Sequence, residues 1–412
     1  MATPRKQPSA RASEIPSFKV MDVLQKAKLI EASNKHEKVQ HLEIGQPLAP
    51  APLPARDATR RAMQDALQLG YTPAHGFEPL RNAICDMYKT DYNVHVPTEA
   101  IHVTVGSSAG FTLSFLAAFD VGDFVALPSC SYPCYRNILA TLGIIPVPIS
   151  LDAEFKVTAS SLKAAINARR EADKPPLRGL ILSSPANPTG VMLMPEEVSD
   201  LCSVCDENGV TFISDEIYHG IVYPKQGAPR AATALEFTTK AIVINSFSKY
   251  YCMTGWRVGW LVAPPHLRDA INKLNQNMFI SAPAVSQLAA THAMSADSRQ
   301  ELEDHVKVYE KNRDIVLRAL KRMGITSAPS HGAFYIYVDL SSLDVTDSAL
   351  LCDDLLETCG VAITPGIDFE FNPKDGARRV RISYAGSAED VTRGMESIEK
   401  RFRELFGAKI SS

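Results

Sequence analysis

The sequence predicts an α/β fold: a mostly parallel sheet with helices on both faces, joined to a smaller α+β unit. Three observations predict it. Short apolar, β-branched runs recur near residues 101, 124, 179, 211, 241 and 258. Helical stretches separate most of them, the alternation that builds parallel sheets through crossover connections. After about residue 290 the pattern changes to one long charged helix, 298–323, and a separate strand set.

The chain has 412 residues, enough for two domains and a large core. Lys+Arg 43 against Asp+Glu 46 gives a net charge of −3. That balance offers no electrostatic reason to expect nucleic acid or an anionic membrane as partner. No uninterrupted apolar stretch is long enough to span a bilayer. Eight cysteines scattered through a large chain argue against a disulfide framework and for a reducing compartment, with cytoplasm as the default. Cys202 and Cys205 lie on a helix opening at Pro195; with no second such pair and no nearby histidine pair, they read as core-facing and no metal is expected.

Residues 1–16 are polar, with Pro4, Pro8 and Pro16 against an amphipathic helix, and read as a disordered lead-in. Phe18 to Ala32 has helical periodicity and gives way to the loop Gly45-Gln46-Pro47. Tyr71 precedes a turn, with a helix starting near Phe77. Ile101–Val105 reads as a strand, then Gly106-Ser107-Ser108-Ala109-Gly110 opens an apolar helix. Small residues at such a turn let free backbone N–H groups face an anion, aided by the helix dipole, so Ser107 and Ser108 are candidate phosphate ligands. The strand at Phe124–Leu127 runs on to Ser131-Tyr132-Pro133, and the prolines of Ile145–Ile149 put that strand near an edge.

Gly179–Leu182 leads to Ser183-Ser184-Pro185-Ala186-Asn187-Pro188-Thr189-Gly190, which places Asn187 at a strand exit between two prolines. Thr211–Ile213 enters Ser214-Asp215-Glu216-Ile217-Tyr218. An aspartate at the end of a buried strand needs a cation to stay ionised, unless it is only a helix N-cap. Ala241–Ile244 leads to Ser246-Phe247-Ser248-Lys249, and Arg257 stands eight residues further on, beside Gly255 and Gly259. A lysine at a strand end in apolar surroundings loses its proton near neutral pH and becomes a nucleophile that forms imines with aldehydes. The hydroxyls of Ser246 and Ser248 and the Arg257 guanidinium suit a phosphate. Pyridoxal 5′-phosphate is both aldehyde and phosphate. Its protonated ring nitrogen would partner Asp215, and its phenolic oxygen would accept from Asn187 and Tyr218. Asn187, Asp215 and Lys249 each follow a strand, and strand carboxyl ends form the ligand crevice of such sheets. Three separately found groups therefore converge on one edge. Arg381, between Val380 and Ile382, reads either as a sheet-edge arginine or as a bidentate carboxylate site.

The segment Ser246–Gly259, with Asn187-Pro188-Thr189-Gly190 and Asp215-Glu216-Ile217-Tyr218, resembles the class I/II pyridoxal-phosphate aminotransferases of fold type I, aspartate aminotransferase-like. The likeness runs through nearly the whole chain from about residue 30. It implies a seven-stranded sheet in a large cofactor domain at 46–290, with 17–45 and 291–412 forming the small domain. It implies that Lys249 holds the cofactor and acts as general base, with Asp215 and Tyr218 assisting. It further implies that Gly45 packs over the substrate, that Tyr132 stacks on the ring, and that Arg381 with Asn187 grips the α-carboxylate. Tyr71 is similar to the family's tyrosine that reaches the neighbouring subunit's phosphate, which implies a homodimer. The implied reaction moves an amino group from an L-amino acid to a 2-oxo acid.

Carbon–sulfur lyases and cyclopropane-forming synthases share this fold and these residues. A non-catalytic aminotransferase-like sensor is a further alternative, but the residues ahead of Gly45 are too few and not basic enough for a DNA-binding segment. Some bacterial aspartate aminotransferases carry a lysine that meets the distal carboxylate where this chain has Ser108, and Arg136 is the nearby substitute. Neutral or aromatic amino donors are therefore expected over aspartate.

Overall fold

The computed structural model describes residues 8–65, 67, 69–223, 230–407 and 409–410. In chain order its strands are β1 (Gln40–His41), β2 (Ile101–Thr104), β3 (Phe124–Pro128), β4 (Ile145–Ile149), β5 (Leu177–Ser183), β6 (Thr211–Asp215), β7 (Ile242–Ser246), β8 (Gly259–Val262), β9 (Tyr335–Asp339), β10 (Val361–Ala362), β11 (Thr364–Pro365) and β12 (Arg379–Ser383). Seven of them form the large sheet, in the order β2-β8-β7-β6-β5-β3-β4. Only β8 runs against the rest, pairing antiparallel with both β2 and β7. The proline-bearing β4 is an edge strand, where a missing N–H costs no ladder bond.

Both faces of the sheet are buried, and side-chain alternation shows why the runs are continuously apolar. Leu180, Leu182, Phe212, Val243 and Trp260 pack into one core, while Ile181, Ile213, Ile242, Ile244 and Leu261 pack into the other. Trp260 donates its indole N–H to the Tyr88 hydroxyl, 3.2 Å away, so burial leaves no donor unmade. Cys202 and Cys205 are buried in the first of these cores, on the helix Pro195–Asn208.

The smaller strand set differs from expectation at one point. Ala362-Ile363-Thr364 is not one strand. Residues 361–362 pair parallel with β1, whereas 364–365 pair antiparallel with β12, so the chain changes sheets at Ile363. β12 continues antiparallel onto β9, which brings Arg381 opposite Tyr337. The long charged helix spans Ala296–Arg322. The described part of the lead-in also differs, since Ala10–Glu14 forms a short helix capped by the Ser9 side chain. All five of its residues are exposed, so local capping rather than core packing holds it. Residues 1–7 of that lead-in lie outside the described residues. Among the described residues no helix is long and apolar enough to cross a membrane.

Candidate active site

The carboxyl ends of β5, β6 and β7 open onto one cavity of about 270 Å³. Asn187, Asp215 and Lys249 all line it, together with Gly45, Ser107, Ser108, Tyr132, Tyr218, Ser248, Arg257 and Arg381. Two of the expected residues stand elsewhere. Ser246 is buried behind the wall: its hydroxyl donates to the Ser248 oxygen at 2.9 Å and accepts the Ser248 N–H at 3.1 Å. As the last residue of β7 its side chain holds the Ser248 turn, and it is not among the residues lining the cavity. Tyr71 is 86% exposed and does not line the cavity of its own chain.

Lys249 is half-buried, and the surface it keeps includes the cavity wall. Its Nζ donates to the Gly45 carbonyl at 2.7 Å. Burial pushes its pKa down to about 8, helped by the positive charges of Arg381 and Arg257 and opposed by Asp215. Asp215 is 3% exposed. It accepts the Ile217 N–H at 3.1 Å and the Tyr135 hydroxyl proton. Burial nevertheless raises its pKa to about 6, so two hydrogen bonds and a nearby lysine do not fully compensate its desolvation. A cation facing the carboxylate from the cavity would.

At the start of the helix Gly106–Ala118 the chain needs glycine twice over. Gly106 has φ +67°, and a Cβ there would fall 2.4 Å from an Arg257 terminal nitrogen. The guanidinium thus lies against the helix start, beside Ser107 and Ser108 in its first turn. Free N–H groups, hydroxyls and one fixed cation make an anion cradle. Arg257 itself has φ +51° and donates to the Thr254 carbonyl at 3.0 Å.

Arg381 also lines the cavity and is 2% exposed. It donates to Asn187 Oδ1 at 3.0 Å and to the Glu43 carbonyl. Its guanidinium lies 4.4 Å from the Tyr335 ring centre and 4.9 Å from that of Phe369. Its Nε has no hydrogen-bond partner among the described residues. Among the described residues no carboxylate pairs with it, so a buried positive charge and an orphaned donor stand ready for an anionic ligand. With Asn187 Oδ1 engaged, the Asn187 amide N–H groups remain to donate. A phosphate, a cationic ring and a carboxylate therefore each meet groups of matching charge.

The aminotransferase class I and II family model matches residues 37–398. The chain belongs to the class I and II aminotransferases. Members of this family generally use pyridoxal phosphate. The chain is 44% identical over 387 residues to the valine–pyruvate aminotransferase of Mycobacterium tuberculosis, covering 93% of this chain and 96% of that one. It is 31% identical to an aspartate aminotransferase of Pyrococcus horikoshii, over 90% and 93% of the two chains. Among solved structures, an aminotransferase from Mycobacterium tuberculosis superposes with TM-score 0.91 at 43% identity, covering 97% of this chain and all of that one (100%). The aspartate aminotransferase of Thermus thermophilus with maleate superposes with TM-score 0.87 at 26% identity, over 96% and 100%.

Two site residues of this aminotransferase escaped sequence reasoning. Tyr135, the partner of Asp215, carried a usable signal: it stands three residues after Tyr132, next to it on a helix face that starts at Pro133. Tyr335 carried none, because it sits in the buried run Phe334–Val338, where every side chain is apolar or aromatic. Arg136 proves to be engaged. It donates to the carbonyls of Asp368 at 2.6 Å and Glu370 at 2.8 Å and is not part of the cavity lining.

Proposed function

We propose that this aminotransferase works with pyridoxal phosphate and takes a neutral, apolar L-amino acid as donor, with a 2-oxo acid as acceptor. The observation that carries the donor class is the use of charge in the cavity. Its cationic lining residues are Lys249, Arg257 and Arg381, and each has a task. Arg257, with Ser107, Ser108 and Ser248, holds the phosphate. Arg381 and the Asn187 amide hold the substrate α-carboxylate. Asp215 would partner the ring nitrogen and keep it protonated, and Tyr132 would support the ring. Tyr218 donates to the phenolic oxygen. When bound, pyridoxal phosphate supplies an aldehyde and a ring that accepts the electron pair released at the substrate's Cα. Lys249 Nζ, neutral over a useful fraction of molecules near pH 8, takes the Cα proton and returns it on the other side of the transfer.

The other lining residues, Phe18, Val20, Met21, Gln46, Cys134 and Ile138 among them, carry no charge. A second carboxylate on the donor would be desolvated there without a partner. The likeness to a valine–pyruvate aminotransferase agrees with this. The expected ratio of kcat/KM for valine over aspartate is about tenfold to a hundredfold, the worth of one charge-assisted hydrogen bond at roughly 1.5–3 kcal/mol. Steady-state rates with each donor and pyruvate measure it. Aspartate ahead by tenfold or more, roughly 1.4 kcal/mol, would refute the donor class. A homodimer completes the proposal, with Tyr71 reaching the phosphate of the partner subunit's site.

A further inference from the structure

Tyr335, on β9, is 1% exposed. Its hydroxyl lies 2.8 Å from the Tyr218 hydroxyl, and no other hydrogen-bond partner of either appears among the described residues. The same hydroxyl fills the space over Gly45, where an added Cβ would come within 1.8 Å of it. Its ring carries the Arg381 guanidinium at 4.4 Å. One side chain thus touches Tyr218, the Gly45 loop and Arg381, all of which line the cavity.

Building on the pyridoxal-phosphate reading above, we propose that Tyr335 is a positioning residue linking Tyr218 to Arg381. Its hydroxyl orients Tyr218 as donor to the phenolic oxygen, and its ring seats Arg381 for the carboxylate. The direction of the hydrogen bonds follows from the count of protons. Each hydroxyl has one proton. If Tyr218 gives its own to the ligand, Tyr335 must donate to Tyr218. Accepting a bond strengthens the one Tyr218 donates, by about 10–30%. Glycine at position 45 keeps the hydroxyl in this place, and the Gly45 carbonyl also receives the Lys249 Nζ proton, so the loop, the lysine and the tyrosine pair share one register.

The hydroxyl and the ring are separable. Tyr335→Phe removes only the hydroxyl. Tyr218 then donates more weakly, the phenolic oxygen keeps more negative charge, and a proton on the nitrogen beside it is held more tightly. The pH midpoint of the bound cofactor's visible absorbance should rise by roughly 0.3 unit, a fraction of one charge-assisted bond. In a Tyr218→Phe background the same substitution should add no shift, because Tyr335 acts through Tyr218. Affinity for 4-methylpentanoate, a carboxylate without an amine, should stay within about twofold in Tyr335→Phe, which keeps the ring, and weaken about fivefold in Tyr335→Leu, which loses the cation–π contact.

An unchanged or lower midpoint in Tyr335→Phe, or an equal shift in both backgrounds, overturns the hydroxyl's role. Full carboxylate affinity in Tyr335→Leu overturns the ring's role. A wild-type protein that takes up no cofactor overturns the functional reading and this proposal together, whereas uptake with an unshifted Tyr335→Phe overturns this proposal alone.

Discussion

Lys249 shows what a single position contributes. Its amine is brought to about pH 8 by burial and by two arginines, against the pull of Asp215. The unfolded lysine titrates near 10.5. Between those values the unfolded chain binds the extra proton, so this group makes the apoprotein more stable as pH rises through the window and less stable below it. The same shift governs reactivity. Covalent capture of pyridoxal phosphate by the apoprotein should speed up with pH through a midpoint near 8, followed by stopped-flow absorbance. Asp215→Asn should move that midpoint downward, because it removes the negative charge that favours the ammonium form. A capture rate independent of pH from about 6 to 10 would contradict the assignment. Lys249, Asp215 and Asn187 were legible as residues because each polar group closes an apolar run. The hydroxyl of Tyr335 was not, since position in a run says nothing of what its oxygen meets 117 residues away.

At the scale of elements, the strands were legible from their composition and their partners were not. The buried runs at 124, 179, 211 and 242 became parallel neighbours because helices separate most of them in sequence. The reversal of β8 could not be read from Gly259–Val262 itself. It follows from the connection, since residues 247–258 carry the lysine turn and a short 3₁₀ segment instead of a crossover helix. The break at Ile363 was hidden for another reason. Val361 pairs with Gln40, more than three hundred positions earlier, and Thr364 with Arg381. Such pairing depends on where the chain has already been laid, not on local periodicity. The helix start at Gly106 was legible in its small residues, but the need for glycine there comes from Arg257, which approaches from a distant segment.

For the molecule as a whole, the site joins segments from residue 18 to residue 381, and the proposed dimer would add Tyr71 from a second copy. That proposal has a direct consequence. Lys249→Ala and Tyr71→Phe chains should each be impaired, but a mixed dimer would hold one site with both wild-type residues. Mixing the two variants should recover activity toward a quarter to a half of wild type on simple pairing statistics; no recovery in mixed dimers verified by mass would exclude a shared site. The net charge of −3 excluded little by itself, and the donor class became arguable only when the cavity lining was seen to hold three cations, each with a proposed task toward the cofactor or the α-carboxylate.

The central claim is that the ends of β5, β6 and β7 bring Asn187, Asp215 and Lys249 around one cofactor. Borohydride reduction of the protein loaded with pyridoxal phosphate, then peptide mapping by mass, tests it most directly. The account predicts one modified peptide, with the added mass on Lys249, and none from a Lys249→Ala protein loaded in the same way. Stoichiometric modification of any other lysine in the wild type would contradict it.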